Sequence, residues 1–171
     1  IDKTSRALLN PLLARSEEIR TPCGDGEMVW RVWGRDNSER PPVVLLHGGF
    51  GAWNHWVRNI PIWEKYYRLV AADLPGCGDS ASLPRPYDAE DLAKAVSAGI
   101  DVAVPAQQPF DLVTFSFGGM ISGLIAHKQA QRIRSLTLIG SPVLGLTGTG
   151  PANELVVVRP DLPIDEAAPL H

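Results

Sequence analysis

Apolar residues recur in two rhythms along this 171-residue chain. Residues 43–46, 69–72, 112–115 and 136–139 are short, almost wholly apolar runs, each separated from the next by enough chain for a helix. Strands buried on both faces read this way, because neither side of the pleat meets water. Between the runs the period lengthens. Residues 55–66 predict a helix interrupted by Pro61. A second helix opens at Asp88, a suitable N-cap, with Leu92, Val96 and Ile100 on one face. A third, over 117–131, carries Met120, Ile121, Leu124 and Ile125 as its apolar stripe. Alternating strands and helices predict an α/β fold with a mostly parallel sheet, right-handed crossovers and helices on both faces. Ahead of them, residues 17–20 and 28–33 flank the turn-rich Thr21-Pro22-Cys23-Gly24-Asp25-Gly26 and read as an antiparallel hairpin. The first fifteen residues predict a short amphipathic helix broken by Pro11. No internal repeat is present.

One junction carries chemistry. Leu112-Val113-Thr114-Phe115-Ser116-Phe117-Gly118-Gly119 runs from an apolar strand through a serine into a glycine pair and a helix. A serine at a sharp strand-to-helix turn is held clear of both elements, with the helix's first N–H groups beside it. The usual G-x-S-x-G spacing asks for small residues on either side, because strand and helix backbones converge there. Gly118 satisfies it. Thr114 stands where the first glycine is expected, and a β-branched side chain there should crowd the helix.

Composition narrows the function classes. The chain is 44% hydrophobic and 20% charged, with a formal net charge of −3. Its Lys and Arg residues are scattered rather than clustered, which argues against a nucleic-acid partner. No apolar run approaches the roughly 20 residues that span a bilayer, so no membrane partner is expected and the chain reads as cytoplasmic. Cys23 and Cys77 fit no metal-ligand spacing and are expected as reduced thiols. Neither G-x-G-x-x-G nor a P-loop sits at a strand-to-helix turn, and no metal site or cofactor is expected.

Four segments in order resemble the N-terminal part of an α/β-hydrolase. They are Leu45-Leu46-His47-Gly48-Gly49-Phe50-Gly51, Ala72-Asp73-Leu74-Pro75-Gly76-Cys77-Gly78-Asp79-Ser80, the turn at Ser116, and Leu136-Thr137-Leu138-Ile139-Gly140-Ser141-Pro142. The first is similar to the family's His-Gly loop, the second to its D-x-x-G-x-G-x-S loop, and the last to the strand leading towards the cap. The resemblance implies Ser116 as nucleophile and the N–H groups of Gly49 and Phe117 as an oxyanion hole; a merely structural Ser116 is the competing reading. Gly49 suits its part because backbone must approach substrate without a Cβ in the way. His47 reads as a loop-ordering residue rather than a base, since the family's histidine lies far downstream. His47, Phe50, Trp53 and His55 are candidates to line a pocket, although a surface histidine suits His55 equally. His127 lies about three turns beyond Ser116, too far to act on it. Asp73 and Asp79 read as loop-ordering carboxylates.

The family's triad runs Ser, acid, His on successive later loops. Asp161, Asp165 and His171 occur in that order, but no apolar strand separates them, and Ser141-Pro142 occupies the place where some relatives carry the acid. The chain therefore divides into a partial hydrolase core over 1–141 and a Pro- and Gly-rich loop opening a cap over 142–171, with the C-terminal strands expected to be missing. Without further strands, residues 136–139 would form an open apolar edge. A partner completing the site would be a C-terminal fragment of the same protein or a second copy. Three functions fit these residues. One is a cofactor-free serine hydrolase of an ester, thioester, lactone or activated C–C bond in a small apolar substrate. Another is a non-hydrolytic relative, a lyase or perhydrolase. The third is a catalytically incomplete binding or regulatory protein.

Overall fold

The computed structural model describes residues 3–37, 39–141 and 156–158. Among the described residues, seven strands form one sheet in the order β1-β2-β4-β3-β5-β6-β7. The hairpin comes first, with β1 (Glu17–Cys23) antiparallel to β2 (Gly26–Trp33). Its strands zip further than the expected six-residue turn, closing at Cys23 and Gly26 because Gly24 takes φ +57° and lets two residues turn the chain. Beyond it β3 (Val43–Leu46), β4 (Leu69–Ala72), β5 (Phe110–Phe115) and β6 (Ile133–Ile139) pair in parallel through three ladders. β2 joins this block antiparallel to β4. On the far side β7 (Val156–Val158) pairs antiparallel with β6 over Leu136, Thr137 and Leu138. The edge expected to stand open is thus covered by three residues of the tail, which reads as loop in the sequence; the rest of 142–171 lies outside the described residues.

The runs that are apolar at every position are those that feed two cores. In β3, Val44 and Leu46 enter one cluster, while Val43 and Leu45 enter the other. The first cluster is roofed by α3 (Ala89–Ala103) and α4 (Phe117–Lys128), through Leu92, Val96, Ile100, Ile121 and Ile125. The second is closed by α1 (Lys3–Ala14), a short 3-10 turn (Trp53–Trp56) and α2 (Ile60–Trp63), through Leu12, Trp53, Trp56 and Ile60. Helices therefore lie on both faces, as expected.

Two helices differ from the sequence pattern for identifiable reasons. The helix expected over 55–66 is the 3-10 turn followed by α2, and Pro61 sits in the first turn of α2, where its missing N–H has no intrahelical partner to lose. α1 continues through Pro11 instead of breaking there. Its C-terminal turn is held from outside: the Trp33 indole N–H donates to the Leu12 carbonyl at 2.9 Å, and Arg15 Nη1 donates to the Pro11 carbonyl at 2.9 Å. Such tertiary anchoring offsets the local cost of proline. α3 starts as expected at Asp88, whose carboxylate accepts from the N–H groups of Glu90 and Asp91 while Asp91 reaches back to the Asp88 N–H.

Candidate active site

Two chain reversals meet at the C-terminal ends of β3 and β5. After β3 the Gly51 N–H donates to the Gly48 carbonyl at 3.2 Å, closing a β-turn with Gly49 and Phe50 at its centre. Phe50 takes φ +57°, a left-handed value that costs a bulky residue about 1–2 kcal/mol, and its side chain is fully exposed. After β5, Ser116 takes φ +48° and ψ −109° before α4 begins at Phe117. Its N–H still belongs to the sheet, donating to the Ile139 carbonyl at 2.9 Å, while its own carbonyl accepts from Gly119 N–H at 2.9 Å. The Ser116 hydroxyl caps none of the N–H groups of α4. Phe117, first in that helix, therefore offers an N–H with no intrahelical acceptor.

The reversals are pressed together, and glycines make this feasible. Gly118 N–H donates to the His47 carbonyl at 3.1 Å. A Cβ on Gly118 would stand 2.8 Å from the carbonyl oxygens of both His47 and Leu46; one on Gly48 would stand 2.8 Å from the Phe115 ring and 3.2 Å from Ser116 Cβ. A Cβ on Gly49 would meet only Phe117 Cβ, at 3.7 Å, an ordinary contact. The crowding within the protein thus falls on Gly48, while Gly49 and Phe117 lie side by side with Gly49 exposed. Thr114, expected to crowd the helix, is fully buried and donates its hydroxyl to the Thr137 carbonyl at 3.3 Å. A Cβ on Gly119 would lie 3.6 Å from Thr114 Oγ1, an ordinary contact, but 2.5 Å from Ser141 Oγ, so it is Ser141 that this glycine admits.

Beneath the turn lies a buried polar brace. His47 is fully buried; Leu74 N–H donates to its Nε2 at 2.9 Å, which puts the proton on Nδ1, 2.7 Å from the Gly48 carbonyl. Burial lowers the pKa of His47 and favours the neutral ring, outweighing the Gly48 bond and the nearby Asp73 charge. Asp73 accepts from Trp53 N–H at 2.7 Å and from Asp79 N–H at 3.0 Å. Burial raises its pKa, and those two hydrogen bonds oppose the rise. Ser80 Oγ donates to the Asp73 carbonyl at 2.6 Å and accepts from Val29 N–H at 2.8 Å. Asp73 and Ser80 thereby fix the loop after β4 to β2 and to the 3-10 turn.

The sequence candidates separate into two levels. Ser116, Gly49, Phe50 and Phe117 lie at the meeting of the two reversals. His55 joins them: its ring is exposed, its Nδ1 accepts from Gly48 N–H at 3.2 Å, and it stands edge-on to Phe115 with centroids 5.7 Å apart. His47 has both ring nitrogens committed below the turn, and Trp53 is buried against Trp33, ring centroids 5.3 Å apart, in the second core. His127 is exposed in the last turn of α4. Asp161, Asp165 and His171 lie outside the described residues. No group of three or more His, Cys, Asp or Glu among the described residues could hold a metal ion, and none of their helices is long and apolar enough to cross a membrane. The link from His55 to Gly48 and the close approach of Ser141 to Gly119 have no sequence signal, since each depends on how separate segments are stacked.

Residues 41–163 match the sequence profile of the alpha/beta hydrolase fold. The chain belongs to the alpha/beta hydrolase family. This alpha/beta hydrolase is 36% identical over 100 residues to a pimeloyl-[acyl-carrier protein] methyl ester esterase of Neisseria meningitidis, a match covering 58% of this chain and 36% of the relative. It is 36% identical over 112 residues to the 2-hydroxymuconate semialdehyde hydrolase of Pseudomonas sp. (strain CF600), covering 62% and 38%. The thioesterase domain from the curacin biosynthetic pathway superposes with a TM-score of 0.64 at 29% identity, covering 74% of this chain and 47% of that one. The chain spans little more than a third of these curated relatives and about half of that solved domain. Hydrolysis is the activity these relatives' names share.

Proposed function

We propose that this chain carries the nucleophile and oxyanion hole of a serine hydrolase acting on the carbonyl of a small, apolar ester or thioester, with lactones and activated C–C bonds in the same range. The observation that carries the reading is the backbone of Ser116. A non-glycine residue at φ +48° between strand and helix is strained, and the strain holds a hydroxyl that caps nothing beside the unpaired N–H of Phe117. In the reaction, Ser116 Oγ attacks the substrate carbonyl as its proton passes to a base, and the carbonyl oxygen becomes an anion between the N–H groups of Gly49 and Phe117. Collapse expels the alcohol or thiol and leaves an acyl-serine, which water then hydrolyses. Losing one such donor typically costs about 3 kcal/mol of transition-state stabilisation. The exposed rings of Phe50 and Phe115 give an acyl chain an apolar approach. The names of the esterase, semialdehyde hydrolase and thioesterase relatives support this substrate range.

The base and its orienting acid belong to chain beyond the described core, or to a second fragment or copy. One observation favours a second reading, a ligand-binding protein without turnover. Among the described residues, no histidine is set up as a base: His47 has both nitrogens engaged, Nδ1 of His55 accepts from Gly48, and His127 is remote. Labelling with a fluorophosphonate probe separates the two. The hydrolase reading expects covalent labelling that disappears in Ser116→Ala; a wild-type protein that binds a short-chain ester saturably yet is neither labelled nor turns it over belongs to the second.

A further inference from the structure

We propose that His55 is the positioning residue of the oxyanion turn, an inference that rests on the serine-hydrolase reading and adds to it the device that aims the Gly49 N–H. The turn from Gly48 to Gly51 is strained, because its third residue, Phe50, holds φ +57° with a side chain that makes no compensating burial. A turn with such a residue relaxes unless something outside it fixes both ends. His55 does so. At one end its Nδ1 accepts the Gly48 N–H at 3.2 Å. At the other its ring lies flat over Gly51, so close that a Cβ there would stand 2.1 Å from Cε1, 2.4 Å from Nε2 and 2.6 Å from Nδ1.

The same ring touches the serine half of the site. It packs edge-on against Phe115, the residue before Ser116, and against His47, whose carbonyl accepts the Gly118 N–H. One imidazole therefore contacts the turn that carries Gly49 and the strand end that presents Ser116. As acceptor at Nδ1, His55 carries its proton on Nε2. Both backbone groups of Gly48 are thereby tied, its N–H to His55 and its carbonyl to Gly51 N–H and His47 Nδ1, and that carbonyl shares its peptide plane with the Gly49 N–H. The Gly49 N–H makes no hydrogen bond among the described residues and lies beside Phe117.

The test uses the chain as it stands, with p-nitrophenyl butyrate and a fluorophosphonate as probes, alongside amide exchange at Gly48 followed by NMR. His55→Ala should lower kcat and the labelling rate by about tenfold to a hundredfold, less than deleting an oxyanion donor outright, with KM nearly unchanged. His55→Asn, whose side-chain oxygen can take the place of Nδ1, should recover most of the loss. Gly51→Ala, which displaces the ring, should reproduce the His55→Ala defect, and the double variant should be no worse than either single one. The Gly48 amide should exchange faster in His55→Ala and Gly51→Ala and regain protection in His55→Asn. Wild-type rates and wild-type Gly48 protection in His55→Ala would overturn the proposal, as would additive losses in the double variant. If wild type and Ser116→Ala react alike with both probes, it is the serine reading that fails. Gly48 exchange then decides the clamp alone: unchanged protection in His55→Ala overturns it, and lost protection upholds it.

Discussion

Two glycines five residues apart in α4 should respond to the same substitution with opposite signs. Gly123 has nothing within 4 Å of the position a Cβ would take. Alanine there gains only helix propensity and a less flexible unfolded chain, worth about 0.5–1 kcal/mol. Gly118 gains the same, but its new methyl would stand 2.8 Å from two backbone oxygens and 2.9 Å from Leu46 Cβ. Backbone cannot rotate away, so β3 and α4 must part. Overpacking of this kind costs about 1–3 kcal/mol, and parting also weakens the Gly118 bond to the His47 carbonyl. The net expectation is a loss of about 1–2 kcal/mol for Gly118→Ala, a gain of about 0.5–1 for Gly123→Ala, and a gap of about 1.5–3 between them. Urea denaturation of the two variants and the wild type measures that gap directly, given unchanged m-values. Gly118→Ala should also lose most turnover of an ester probe, because the parting moves His47 and the oxyanion turn away from Ser116. Equal midpoints for the two variants would refute the claim that Gly118 is where strand and helix require the missing side chain.

Asp88→Ala should cost about 1 kcal/mol by removing the capping box of α3, seen as a lower urea midpoint with ester turnover largely retained. For His47 the sign follows from burial: its folded pKa is lowered, so as pH falls through and below the usual histidine value of about 6.5 the unfolded chain takes up the proton first and stability drops. Asp73, whose folded pKa is raised, acts in the opposite direction, contributing stability that is present at low pH and lost as pH rises through the carboxylate range and its raised value. The assay is therefore the difference between wild type and His47→Gln at about pH 5.5 and about pH 7.5; His47→Gln should be the less stable at both but with the smaller change between them.

The sheet was legible because its runs are apolar at nearly every position, a pattern that strands with two buried faces sustain. Residues 43–46 and 69–72 fall on β3 and β4 to the residue. β5 and β6 begin two and three residues earlier than the pattern shows, since Asp111 and Arg134 look like loop residues yet pair with each other across the sheet margin. The turn at Ser116 was visible through its glycine and the apolar strand before it. Less accessible was anything fixed by stacking: that Gly48 lies tight against Phe115 and Ser116, that Gly119 admits Ser141, and that α1 survives Pro11 because Trp33 holds its last turn. Such facts belong to pairs of residues tens of positions apart, and a single sequence records the members of each pair without the pairing.

The division of the interior by the sheet gives the molecule two optical reporters with different weightings. Of the five tryptophans, only Trp30 lies with α3 and α4, while Trp33, Trp53, Trp56 and the half-buried Trp63 share the other side. Intrinsic fluorescence therefore watches mainly the layer that holds the His55 turn, whereas far-ultraviolet dichroism is weighted towards α3 and α4. Superimposable melting curves from the two signals would mean that both layers come apart in a single cooperative event. A fluorescence change that runs ahead of the dichroism would mean that the layer carrying the oxyanion turn loosens while the elbow helix is still in place.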